Sequence, residues 1–133
     1  MNKLQGVRVL ITRPQQQAEK WRQLLEENGA ATLNVPLMAI TPLESEAERQ
    51  RIKNKVMDFD HYRHAIFVSQ NAAHYGGEWL LDYWPQWPVD TRFYAVGSAT
   101  AKALQGFDCE VVAANQSMNS EALLALPELQ QVA

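Results

Sequence analysis

The stretch HAIFVSQNAAHYGG, residues 64–77, decides the fold class, because it joins a predicted strand to a predicted helix. The apolar run over residues 65–68 indicates a buried strand. The polar residues Ser69, Gln70 and Asn71 end this strand, and a helix is predicted from there to Trp84. The junction contains no acid, base or metal ligand. Any chemistry there must come from hydroxyl, amide and backbone N–H groups.

The same alternation of strand and helix extends from this stretch in both directions. Upstream, strands are predicted at 7–12 and 31–35, a helix between them from Pro14 to Asn28, and a connector or edge strand at 36–42. A capping box at 45–48 opens a polar helix that runs to about residue 57. Downstream, strands are predicted at 92–97 and 109–114, and helices at 98–106 and 120–126. This order is typical of α/β proteins with a parallel, doubly wound sheet.

Composition narrows the class of protein further. A chain of 133 residues can form a core without disulfides, and the single Cys109 predicts a buried, inert thiol in a reducing compartment. The net charge of −3 and the lack of a long basic cluster argue against a nucleic-acid partner. No apolar run is long enough to span a membrane or to form a signal-peptide core. We therefore expect a soluble, cytoplasmic protein with no membrane partner.

The strand ends are the predicted ligand site, because open α/β sheets bind ligands outside the carboxyl ends of their strands. No carboxylate is found there, which argues against a magnesium-dependent phosphorylation site, and no glycine-rich nucleotide motif is present. The residues at the three strand ends are Thr12 and Arg13, then Ser69, Gln70 and Asn71, then Gly97, Ser98 and Thr100.

Two interpretations of these junctions remain open. Ser, Thr and Asn are preferred helix N-caps, so each residue alone could be structural. Three junctions together favour an anion site, because each would direct a helix N-terminus and free N–H donors toward the same edge of the sheet. Histidines His61 and His64 have no further ligand at zinc spacing, and no residue order supports nucleophilic catalysis.

Four stretches in order resemble one family, uroporphyrinogen-III synthase. The segment VLITRPQQQAEKWRQLLEENGA resembles its first strand, Thr-Arg-Pro turn and first helix, and DHYRHAIFVSQNAAHY resembles its strand ending in Ser-x-Asn-Ala. The segment AVGSATAKALQGFDCEV resembles its Val-Gly-x-x-Thr-Ala helix entry, and SEALLALPEL its next helix. The resemblance covers essentially the whole chain.

The resemblance implies a two-domain architecture of flavodoxin-like sheets in a protein about twice this length. Residues 1–36 would be the first strand-helix-strand of an incomplete domain 1, and 37–43 a linker strand. Residues 44–133 would be domain 2 without its last elements. A C-terminal half, or a swapped second chain, would complete the fold.

The resemblance also implies a chemistry. The family substrate is hydroxymethylbilane, a linear tetrapyrrole with eight carboxylates, which is closed to uroporphyrinogen III with loss of water and inversion of ring D, as part of heme biosynthesis. No metal or organic cofactor takes part. Folding a flexible polyanion is chiefly a problem of orientation. Strand-end residues would bind its carboxylates, with Thr12 and Arg13 acting from the first domain, and no general acid is identified.

A rival interpretation belongs to a different class of protein. A single five-stranded flavodoxin-like domain without enzymatic activity could bind a small anion or a protein partner. It would require residues 1–36 to lie in the same sheet as residues 64–114.

Overall fold

A computed structural model describes residues 2–114, 116 and 118–131. The chain forms two compact units, Met1–Pro42 and Leu43–Ala133. Both are mixed α/β with short parallel strands, which confirms the predicted α/β class.

The first unit consists of two strands and one helix. Strand β1 (Arg8–Ile11) pairs in parallel with β2 (Ala31–Asn34), and helix α1 (Gln15–Glu27) connects them. The helix starts directly after Pro14, as predicted, and the chain turns at Gly29 with a φ of 93°. Among the described residues of this unit, the buried side chains are few, namely Ile11, Ala18 and Ala30.

The second unit contains the second sheet and most of the core. Helix α2 (Glu46–Met57) and a 3-10 turn (Phe59–His61) precede strand β3 (His64–Phe67). Helix α3 (Gln70–Tyr83), strand β4 (Arg92–Ala95) and helix α4 (Ser98–Gln105) follow. The short helices α5 (Ser120–Leu124) and α6 (Pro127–Gln130) come last.

The pairing of β3 with β4 assigns their side chains to two faces. The strands are parallel, with His64 opposite Arg92 and Phe67 opposite Ala95. Phe67, Phe93 and Ala95 belong to the core that also contains residues of α2, α3 and α4. Because side chains alternate along a strand, His64, Ile66, Arg92 and Tyr94 lie on the opposite face.

Helix α3 is continuous through its glycine pair, Gly76 and Gly77. A Cβ at Gly77 would lie 2.6 Å from the ring of Phe107, and one at Gly76 would lie 3.0 Å from the ring of Phe67. Gly77 therefore lets the helix backbone approach an aromatic ring of the core.

Two local predictions are wrong. The strand expected at 109–114 is reduced to a single parallel bridge between Phe93 and Val111, since positive φ angles at Asp108 (58°) and Ala113 (53°) turn the chain on either side of the bridge. The capping box is not formed either. Ser45 precedes α2 in an extended conformation, but its side chain makes no capping hydrogen bond.

The strands form two separate two-stranded sheets, β1 with β2 and β3 with β4. A larger doubly wound sheet is not formed within the part of the chain that the structure describes. Across residues 2–114, 116 and 118–131, no helix combines the length and apolar character needed to cross a membrane.

Candidate functional site

The carboxyl edge of the β3/β4 sheet brings together six of the eight predicted site residues. Phe67 and Ala95 end neighbouring parallel strands, and the N–H of Val96 donates to the carbonyl of Phe67 at 2.9 Å. The chain then enters α3 at Gln70 and α4 at Ser98. Two helix N-termini consequently start side by side at one edge of the sheet. The six residues are Ser69, Gln70, Asn71, Gly97, Ser98 and Thr100.

At the start of α3, Ser69 has the structural role that helix N-caps commonly have. Its hydroxyl oxygen accepts the N–H of Ala72 at 3.0 Å, and the side chain is exposed. The hydroxyl proton can still be donated to a ligand. The N–H groups of Gln70 and Asn71 lie in the first turn, where a helix offers no acceptor. These two N–H groups make no backbone hydrogen bond to another described residue.

At the start of α4, Gly97 shapes the turn. Its φ of 87° and ψ of 149° fall in a region that only glycine adopts without strain. Its N–H donates to the carbonyl of Met118 at 2.7 Å, so this donor is already used and is not available to a carboxylate, contrary to our expectation. Ser98 is exposed, and it begins the helix together with Ala99.

Thr100 lies deeper than expected. Its side chain is only 4% exposed, whereas we expected its hydroxyl to face a ligand. This burial favours a role in supporting the first turn of α4.

Thr12 and Arg13 belong to the first unit. Both are exposed at the carboxyl end of β1, and the carbonyl of Thr12 accepts the N–H of Leu37 at 3.2 Å. Arg13 carries the single formal positive charge among the eight predicted residues.

The electrostatics of the β3/β4 edge come from the backbone rather than from charged side chains. None of its six residues carries a charge, and helix N-termini supply partial positive charge and aligned N–H donors. Such an edge can bind carboxylates without lysines. Among the described residues, no group of His, Cys, Asp and Glu is arranged to hold a metal ion.

Sequence reasoning missed a polar cluster at the opposite, amino edge of the same sheet. The Nδ1 of His64 and the hydroxyl of Tyr94 form a hydrogen bond of 3.0 Å. Burial raises the pKa of Tyr94, and the positive charge of Arg92 opposes this rise. A signal was present in the sequence, because an arginine stands at the start of each paired strand, Arg63 before β3 and Arg92 in β4.

Comparison with known proteins decides the family. A sequence model described as Uroporphyrinogen-III synthase HemD matches residues 19–133. The chain belongs to the uroporphyrinogen-III synthase family. The resemblance seen in the four sequence segments is thereby confirmed.

Two curated uroporphyrinogen-III synthases are similar to the chain. The protein from Salmonella typhimurium strain LT2 is 30% identical over 128 residues, which cover 94% of this chain and 50% of the relative. The protein from Escherichia coli strain K12 is 26% identical over 126 residues, with the same shares covered. The chain thus spans about half the length of the uroporphyrinogen-III synthases that it matches.

Proposed function

We propose that this chain contributes to a uroporphyrinogen-III synthase, closing hydroxymethylbilane to uroporphyrinogen III with inversion of ring D, in heme biosynthesis. The observation that carries the proposal is the pair of adjacent helix N-termini at the carboxyl edge of β3 and β4. A substrate with eight carboxylates and no need of a metal or organic cofactor suits such an edge.

In this proposal the edge acts by binding and orientation. The N–H groups of Gln70, Asn71 and Ser98, together with the hydroxyls of Ser69 and Ser98, hold one or more carboxylate side chains of the substrate. Hydrogen bonds to an ionised group are about twice as strong as neutral ones, so a few of them can fix one arm of a flexible chain. Fixing the arms brings the reacting carbon atoms together. Thr12 and Arg13 bind other carboxylates of the substrate from the first unit.

The proposal includes a flavodoxin-like two-domain architecture in which a further polypeptide segment covers the first unit. Leu10 and Leu33 are 60% and 63% exposed on paired strands, and a two-stranded sheet needs further packing to be stable. The segment would be the C-terminal half that the relatives contain, or a second chain. The free, buried thiol of Cys109 supports a reducing, cytoplasmic location.

Ligand-dependent melting tests the binding role. We expect uroporphyrinogen III to raise the melting temperature of the protein and flavin mononucleotide to leave it unchanged. A ligand at a hundredfold excess over its Kd stabilises the folded state by about 2.7 kcal/mol. A shift with the flavin and none with the tetrapyrrole would replace this proposal by an anion-binding flavodoxin-like domain.

A proline substitution at the first residue of α3 tests the backbone donors. Gln70→Pro removes one N–H at a helix position that tolerates proline, next to a residue already extended at φ −157° and ψ 164°. We expect tetrapyrrole affinity to fall about tenfold, the loss of one charge-assisted hydrogen bond. Glu46→Pro makes the same change at the first residue of α2, next to an extended Ser45, and should leave affinity unchanged. Equal affinities of the two variants would count against the edge as the binding site.

A further inference from the structure

The amino edge of the β3/β4 sheet contains a cavity of about 430 Å³. Its charged walls come from Arg63, Asp90, Arg92 and Glu128, and His64 also lines it. The volume lies in the range of small-molecule sites in proteins.

The pairing of β3 with β4 places the two arginines of this cavity, Arg63 and Arg92, next to each other along the backbone. The N–H of Arg92 donates to the carbonyl of Arg63 at 2.9 Å, and His64 is opposite Arg92 in the parallel register. Two guanidinium groups therefore originate from adjacent backbone positions. Both line one cavity, and two like charges there favour a ligand that carries an opposite charge.

Two carboxylates line the same cavity without neutralising the arginines directly. No ion pair within 4.0 Å joins Asp90 or Glu128 to Arg63 or Arg92 in the described part of the chain. The Oε2 atom of Glu128 is buried and has no hydrogen-bond partner among described groups. A buried polar atom without a partner is costly, which makes this oxygen an acceptor available to a ligand.

A hydrogen-bonded pair, His64 and Tyr94, lies next to Arg92 in this sheet. Tyr94 is fully buried, and its hydroxyl is held by the hydrogen bond to His64. Tyr94 lies on the same strand face as Arg92, two residues away.

We propose that this cavity binds a small zwitterion, a molecule that carries one carboxylate and one ammonium group. The carboxylate contacts the guanidinium groups of Arg63 and Arg92, and the ammonium group contacts the carboxylates of Asp90 and Glu128. A simple anion would leave the two carboxylates without a partner, and a simple cation would leave the two guanidinium groups without one. Only a ligand with both charges can pair with the guanidinium groups and with the carboxylates.

This site is separate from the carboxyl edge. The two edges lie at opposite ends of four-residue strands, whose first and last residues are about 10 Å apart at a rise of roughly 3.3 Å per residue. The inference therefore does not rest on the proposed synthase activity, and a failure of one leaves the other intact.

Titration of the 133-residue chain with simple probes tests the site by amide NMR. We expect glycine, γ-aminobutyrate or 6-aminohexanoate to shift the signals of Arg63, His64, Arg92 and Glu128. The three amino acids differ in the distance between their two charges, and one of them should bind best. Acetate and methylammonium should bind about tenfold more weakly than that amino acid, because each can make only half of its contacts. Acetate binding as tightly as the best amino acid would overturn the zwitterion assignment, and unchanged signals with every probe would overturn the site.

Charge-removing variants locate the contacts. Arg92→Gln should weaken binding of the best amino acid about tenfold relative to the parent protein. Glu128→Gln should weaken it by the same factor, but the variant should bind acetate as tightly as the parent or more tightly. Arg51→Gln, on an exposed position of α2, is the matched control and should bind like the parent. Melting temperatures of all three report whether they fold. Folded Arg92→Gln and Glu128→Gln variants with unchanged affinity would refute the proposal.

Discussion

Thr100 shows how one residue can satisfy a motif and still have a different role from the expected one. It stands in the first turn of α4, where its hydroxyl could bind a carboxylate, but its side chain is 4% exposed. We expect Thr100→Ala to lower the free energy of unfolding by about 1–2 kcal/mol, the usual cost of a buried truncation. The Kd of the folded protein for uroporphyrinogen III should change by no more than about twofold.

Urea unfolding and ligand titration of the same variants separate stability from binding at this position. Thr100→Ser keeps the hydroxyl and loses only a methyl group, so it serves as the control. An alanine variant of normal stability whose Kd rises tenfold or more would restore the ligand role to this hydroxyl.

Cys109 makes stability depend on pH in the alkaline range. The thiol is buried and free, as its sequence context predicted, and burial raises its pKa from 9.0 to about 11, with the charge of Asp108 adding to the rise. Below pH 9 both the folded and the unfolded thiol are protonated. Between pH 9 and 11 the unfolded state loses its proton first, so stability falls as pH rises, by up to roughly 2–3 kcal/mol.

Urea unfolding from pH 8 to 11 measures this decline. Cys109→Ala lacks the titrating group, so the difference in unfolding free energy between parent and variant should shrink steadily above pH 9. Parallel curves across the range would mean that the thiol ionises equally in both states.

At the scale of elements, the glycine pair of α3 reports on helix packing. Gly77→Ala would put a Cβ 2.6 Å from the ring of Phe107, with three ring atoms closer than 3.0 Å. We expect a destabilisation of about 1–3 kcal/mol from overpacking, despite the better helix propensity of alanine. Gly76→Ala is the matched control, because its nearest atom is one ring carbon of Phe67 at 3.0 Å. That variant should stay within about 0.5 kcal/mol of the parent, and equal losses in both would contradict the packing argument.

Elements with a strong local signal could be predicted, and elements that depend on tertiary contacts could not. The helix after Pro14 and the strand before Ser69 have clear boundaries in the sequence, and both form. The apolar residues 109–114 satisfy the strand pattern equally well. They nevertheless make one bridge, at Val111, because the backbone turns at Asp108 and Ala113. No side-chain periodicity indicates those two positive φ angles.

The site was predictable to a similar degree. The polar junctions after two predicted strands indicated a common edge, because parallel strands end together. The N–H of Gly97 is not available to a ligand because it donates to the carbonyl of Met118, 21 residues further along the chain. Local sequence cannot indicate such a contact. The amino-edge cluster was missed for the same reason, since Glu128 reaches it from the last helix.

At the scale of the whole molecule, the first unit has too little core to account for its exposed apolar surface. Leu10 and Leu33 are exposed on a two-stranded sheet in a unit with few buried side chains among its described residues. The relatives are about twice as long as this chain. Under our proposal, substrate closure uses groups held by both units and by the segment that covers the first one. The 133-residue chain alone should therefore leave hydroxymethylbilane to close spontaneously to the symmetric type I isomer.

Fusing to this chain the half of the Salmonella typhimurium relative that it does not match should restore the type III isomer, because under our proposal that half supplies the covering segment. Chromatography of the oxidised products distinguishes the two isomers. In the fusion, Leu10→Glu should abolish type III formation by placing a charge in the covered face, since a buried unpaired charge is strongly destabilising. Val89→Glu, at a position 98% exposed, makes the same change outside that face and should remain active. Type III formation at an enzymatic rate by the unfused chain would show that one half is sufficient, and equal activity of both glutamate variants would show that the face of Leu10 stays open to solvent.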